Sequence, residues 1–198
     1  KRSQMRELVR GHIARSIAAK EALIATQLDE IVKAGSIASE CFRSGGKLLS
    51  CGNGGSAGDA QHIATEFLIR YKAENIRPSL PAISLAADSS AITACGNDFG
   101  FDSLFSRQVE GLGRPGDCLL AITTSGNSRN VLEAVKEAKK KGMKVIFLSG
   151  RTGGKIFAEH AGLLDAAVLV PADETSRIQE CHIMVGQIIC AVVEKELY

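Results

Sequence analysis

The chain has 198 residues, 45% apolar and 23% charged, with a net charge of +2. This is the make-up of an ordinary globular protein with enough residues for one substantial core, and it excludes a disordered chain. No apolar run approaches the ~18–20 residues that span a bilayer, and no basic stripe stands out, so neither membrane nor nucleic acid is expected as a partner.

From Ser3 to about Arg43 there is no proline, and Ile17, Ile24, Leu28, Ile31 and Ile37 recur at helical spacing, which predicts one or two long helices before any strand. The pattern then changes to short apolar runs at Lys47–Cys51, Pro81–Leu85, Cys118–Thr123, Lys144–Ser149 and Ala166–Val170. Helix-like segments alternate with them at Ala57–Arg70, Ser89–Asn97, Ser103–Leu112, Ser128–Lys141, Gly154–His160 and Thr175–Leu197. Continuous Leu, Ile and Val runs separated by helices indicate a parallel sheet buried on both faces. The expected class is α/β, a doubly wound parallel sheet of about five strands flanked by helices, with residues 1–43 as an N-terminal helical arm and 1–198 as one domain. The six cysteines are scattered with no CxxC pair, which suits reduced, buried thiols in a cytoplasmic protein better than a disulfide frame or a cysteine zinc site.

Two strand-to-helix turns are rich in small polar residues, Cys51–Asp59 (CGNGGSAGD) and Thr123–Asn130 (TTSGNSRN). In open α/β sheets ligands bind beyond the carboxyl ends of the strands, where such turns feed helix N-termini. The second turn lacks the lysine of a P-loop, and the glycines of the first do not fit a dinucleotide fingerprint. Ser, Thr, Asn and Gly also serve as helix caps and tight turns, but two such turns together point to an anion site.

On the helix after the first turn, His62 and Glu66 lie four residues apart on one face. The pair reads either as a surface pair or as a metal or acid/base site, and the neighbouring apolar residues Ile63 and Phe67 put it at the edge of burial. In the last helix Gln179, Glu180, His182 and Gln187 interrupt an otherwise apolar sequence. Buried polar groups need partners, so this is either a core helix with satisfied amides or a helix reaching a site between subunits.

CGNGGSAGDAQHIATEF, GNDFGFDSLFSRQVE at Gly96–Glu110, GDCLLAITTSGNSRNV, KGMKVIFLSG and RIQECHI, in this order, resemble the SIS (sugar isomerase) fold and, within it, the sedoheptulose-7-phosphate isomerases, or phosphoheptose isomerases. The resemblance covers nearly the whole chain. It implies an aldose–ketose isomerase that interconverts sedoheptulose 7-phosphate and D-glycero-D-manno-heptose 7-phosphate through an enediol, supplying heptose for lipopolysaccharide core precursors. It also implies a homotetramer with active sites shared between subunits.

By the same resemblance the substrate phosphate falls on Thr123, Thr124, Ser125 and Ser128, and the sugar on Asn53, Gly54, Gly55, Asn97, Asp98 and Gln179. Zinc falls on His62, Glu66, Gln179 and the position of Gln187, where the isomerases carry a histidine that is both ligand and acid/base. Glu66 is the expected base. Gln187 takes the acid position, but an amide has no titratable proton to give, so water, metal-bound water or His182 would have to substitute. The rival reading is a non-enzymatic SIS protein, a phosphosugar sensor or an adaptor resembling the one that associates with the bacterial replication initiator.

Overall fold

The structure, a computed structural model, describes residues 1–198. Residues before the first strand form two helices, α1 (Arg2–Thr26) and α2 (Leu28–Arg43). They part at Gln27, whose φ of −126° and ψ of 3° leave helical space. The break has a use: Gln27 Oε1 accepts the backbone N–H of Leu169 at 3.0 Å, and Glu30 Oε2 accepts that of Ala167 at 2.9 Å. Side chains thus occupy the outer N–H groups of an edge strand, groups that would otherwise invite another strand to pair.

The five strands are β1 (Leu48–Cys51), β2 (Ala82–Ser84), β3 (Cys118–Thr123), β4 (Lys144–Gly150) and β5 (Ala166–Val170), all parallel in the order β2-β1-β3-β4-β5. Side chains alternate between faces, so each register row belongs to one face. Leu49, Leu119 and Val145 align in one row, and Leu120, Ile146 and Ala166 in another. The first row packs against α4 (Ser89–Asp98), α5 (Ser106–Leu112) and α6 (Arg129–Lys140) through Cys95, Val109, Val131 and Val135. The second meets α2, α3 (Gly55–Leu68) and α8 (Thr175–Leu197) through Ala34, Ile63, Phe67, Val185 and Ile189. A short α7 (Gly154–His160) adds Ile156 to the first layer.

The expected arm divides in two. Ile31, Ala34, Ala38, Cys41 and Phe42 of α2 are core residues, whereas α1 buries only Ala19 and Leu23. Two other expectations shift. The helix after the first turn begins at Gly55 rather than Ala57, and the segment expected as Ser103–Leu112 is a short 3₁₀ turn (Phe101–Ser103) followed by α5.

The strand order reverses between β1 and β3. From β1 the chain passes to α3 on one face, and from β3 to α6 on the other. A crevice opens where such connections diverge, and both glycine- and serine-rich turns stand at its rim.

Candidate active site

The two turns are tied together across the crevice. Asn53 Nδ2 donates to Asn130 Oδ1 at 2.8 Å, and Asn130 Nδ2 donates back to Asn53 Oδ1 at 2.9 Å. Asn130 is only 2% exposed and sits in the first turn of α6, so this reciprocal amide pair fixes the distance between the turns. Asn130 was not among the sequence-expected site residues. Its signal was a polar residue at a helical position otherwise facing the core.

In the turn after β3, Thr123 Oγ1 lies 2.9 Å from Ser128 Oγ and 3.5 Å from Ser125 Oγ, while Ser125 Oγ accepts from Asn127 N at 3.1 Å. Ser128 is the N-cap of α6, yet its hydroxyl makes no capping bond to the helix. The first-turn N–H groups of α6 therefore keep their donors, and the helix dipole adds positive potential at the same place. Hydroxyls and free amides around one loop make a cradle for a phosphate-sized anion. Thr124 contributes through its backbone, its carbonyl accepting from Gly150 N at 3.0 Å.

The turn after β1 enters α3 through Gly54, whose φ of +56° is a conformation that side-chain-bearing residues rarely adopt. Gln179 of α8 lies directly over Gly55: a Cβ there would stand 2.5 Å from Gln179 Nε2. Two turns further along α3, His62 Nε2 is 3.1 Å from Glu66 Oε1, and Gln187 Nε2 donates to the same oxygen at 3.2 Å. The His62 side chain is 54% exposed and that of Glu66 14%, so the carboxylate lies in the wall and the imidazole at the opening.

Below this cluster, Arg77 grips the end of α3. Its guanidinium donates to the carbonyls of Glu66 at 2.7 Å and Phe67 at 2.9 Å, and to Glu194 Oε1 of α8 at 3.0 Å. Arg77 and Glu194 have side chains only 1% and 6% exposed. This buried pair locks the backbone of Glu66 to α8, and nothing in the sequence around Arg77 announced it.

Asp59, one turn before His62, was also missed. Burial raises its carboxyl pKa, the charge of His62 opposes the rise, and its Oδ2 has no partner. Asn97 and Asp98 bond each other at 2.8 Å at the exposed end of α4 and make no hydrogen bond to either turn. His182 is removed from candidacy as an acid. It is fully buried, its Nε2 is 3.0 Å from the Ser149 carbonyl on β4, and burial lowers its pKa to about 4. All six cysteines are free and buried, and burial pushes the Cys51 thiol up to about 12, so no thiolate nucleophile stands at the site.

Zinc is expected from the resemblance. Zinc sites are built from cysteine, histidine, aspartate and glutamate. The chain gathers no group of three such residues, and the cluster offers one imidazole, one carboxylate and carboxamides from Gln187 and, over Gly55, Gln179. These residues do not fit a tetrahedral zinc centre.

The SIS domain model matches residues 12–150. The phosphoheptose isomerase of Leptospira biflexa is 44% identical over 191 residues, 96% of either chain. That of Nitratiruptor is 53% identical over 165 residues, 83% of this chain and 85% of its own. The solved phosphoheptose isomerase GmhA from Neisseria gonorrhoeae superposes with a TM-score of 0.88 at 44% identity, covering 96% of this chain and 99% of the other. The chain belongs to the SIS-domain family and, within it, to the phosphoheptose isomerases.

Proposed function

We infer that the chain is an aldose–ketose isomerase that interconverts sedoheptulose 7-phosphate and D-glycero-D-manno-heptose 7-phosphate. The carrying observation is the match to phosphoheptose isomerases along nearly its full length, with a carboxylate, Glu66, kept in the wall of the crevice. The rival reading as a non-catalytic adaptor is not favoured, because the similarity at high coverage is to phosphoheptose isomerases and that carboxylate is present.

The reaction moves a proton between C1 and C2. In the proposed assignment, the phosphate is held by Thr123, Thr124, Ser125, Ser128 and the N-terminus of α6, which fixes the far end of the sugar. Asn53, Gly54, Gly55, Asn97, Asp98 and Gln179 face the sugar hydroxyls. Glu66 takes the proton from the carbon beside the carbonyl, leaving an enediol, and returns it to the neighbouring carbon. Its Oε1 carries the contacts to His62 and Gln187, while Oε2 makes no hydrogen bond within the chain and is the oxygen that receives the proton. The hydroxyl proton that must pass between O1 and O2 is carried by water at the open side of His62, since Gln187 has none to give.

The proposed assembly is a homotetramer with sites completed between subunits. Met5, Val9, Ile13 and Ile17 of α1, each more than half exposed, repeat every four residues and line a groove of about 600 Å³. An apolar stripe of this length on one helix suits a second copy of the chain. The cytoplasm is the proposed location, supported by six free thiols, and no helix is long and apolar enough to cross a membrane.

The reading is tested by incubating the purified protein with sedoheptulose 7-phosphate and measuring the aldose formed by a coupled assay. Conversion above the uncatalysed rate is expected. No conversion, by protein that still binds the sugar phosphate, would favour the adaptor.

A further inference from the structure

The cluster at Glu66 has a polarity that decides what it is for. A carboxylate offers only acceptor lone pairs, so a carboxamide 3.2 Å away must turn its N–H toward it and its carbonyl aside. The nitrogen of His62 lies 3.1 Å from the same oxygen. Both neighbours therefore serve Oε1 of Glu66 and leave Oε2 without a hydrogen bond in the chain. A zinc site needs the opposite polarity, with the lone pairs of all donors aimed at one cation. Gln179 sits over Gly55 at the start of α3, and Gln187 meets Glu66 three turns later.

The surroundings also fix the backbone that carries the carboxylate. Arg77 fixes the Glu66 carbonyl at 2.7 Å and joins it to Glu194 of α8, the helix that also carries Gln187. The base and its amide partner are thereby set on two helices locked to each other. A carboxylate so held has a defined direction toward its substrate, which is the property a proton-abstracting group needs first.

We propose that this chain isomerises sugar phosphates without a resident zinc, and that Gln187 is a positioning residue whose amide N–H aims Glu66. The kinetic part of the proposal rests on the isomerase reading above; the metal part does not.

The test measures zinc by mass spectrometry in wild type and Gln187→His, both purified with zinc supplied and then dialysed against metal-free buffer, and follows turnover with and without a chelator. Expected are little zinc in wild type, more in Gln187→His, and wild-type turnover that the chelator leaves unchanged. Gln187→Leu is expected to lower kcat by roughly 10–100-fold, the scale of a misaimed catalytic group, with KM for the sugar phosphate unchanged. A merely structural role would instead move KM and the melting temperature together. Wild type that retains as much zinc as Gln187→His, or that loses turnover to the chelator, would overturn the proposal. Absence of turnover in every buffer would overturn the isomerase reading, while the zinc content would still decide the metal question.

Discussion

A single oxygen, Oε1 of Glu66, receives the side chains of His62 and Gln187, and the residues around it divide into those that act and those that hold. Among those proposed to act, the hydroxyls of Ser125 and Ser128 are part of the cradle after β3. Replacing both by alanine is expected to weaken binding of the sugar phosphate by about 1–3 kcal/mol, since hydrogen bonds to a charged group are lost, and calorimetry measures it. The fold should be unaffected, because Ser125 is exposed and neither hydroxyl caps α6. Among the residues that hold, Arg77 should be far more costly to change. Arg77→Leu leaves Glu194 buried without its cation, with only the Asn75 amide still donating to it, and uncaps α3; it is expected to destabilise the protein by about 3–5 kcal/mol in urea denaturation. His182 gives a pH signature instead. Burial lowers its pKa from 6.5 to about 4, so between these values the unfolded chain binds the proton that the folded chain refuses. Stability from this residue is whole above pH 6.5 and lost as the pH falls toward 4, by roughly 3 kcal/mol. A His182→Gln variant should show a flatter pH dependence across that window.

At the scale of elements, the sequence was legible where one rule governed. All five apolar runs are strands of one parallel sheet, because continuous Leu, Ile and Val between turns suit burial on both faces and little else. Boundaries moved where two rules competed: Gly55 and Ser56 read as turn residues, yet they open α3, since the tight bend is completed at Gly54. The spacing of Ile31 and Ile37 says which face of the arm is apolar and not what covers it; α8 and the sheet cover α2. The candidate site was legible as motifs, whereas its fastenings were not. Asn53 with Asn130 and Glu66 with Arg77 are joined only by the fold, and no local spacing encodes them. The same holds for the contact of α3 with α8, where a Cβ on Gly186 would stand 2.3 Å from Ile63 Cδ1. Gly186→Ala should push these helices apart at a cost of about 1–3 kcal/mol, read as a lower midpoint in urea, and Ile63→Val in the same chain should recover part of it.

For the whole molecule, a topological switch between β1 and β3 sets the two polar turns side by side, tied through Asn53 and Asn130, while the apolar stripe of α1 is left outside the core. Light scattering should give the mass of four chains, and replacing Ile13 and Ile17 by glutamate should lower it, because the stripe would no longer suit a second copy. A mass of one chain for the wild type would remove the proposed assembly. The central claim is that Glu66 performs the proton transfer. It is tested most directly by the rate of sedoheptulose 7-phosphate conversion in wild type and in Glu66→Gln, with sugar-phosphate binding measured on both. The expected result is a rate lower by roughly 10²–10⁴-fold in Glu66→Gln with binding retained, the contribution of a positioned base. A Glu66→Gln variant as fast as wild type would contradict the account and assign the proton to another group.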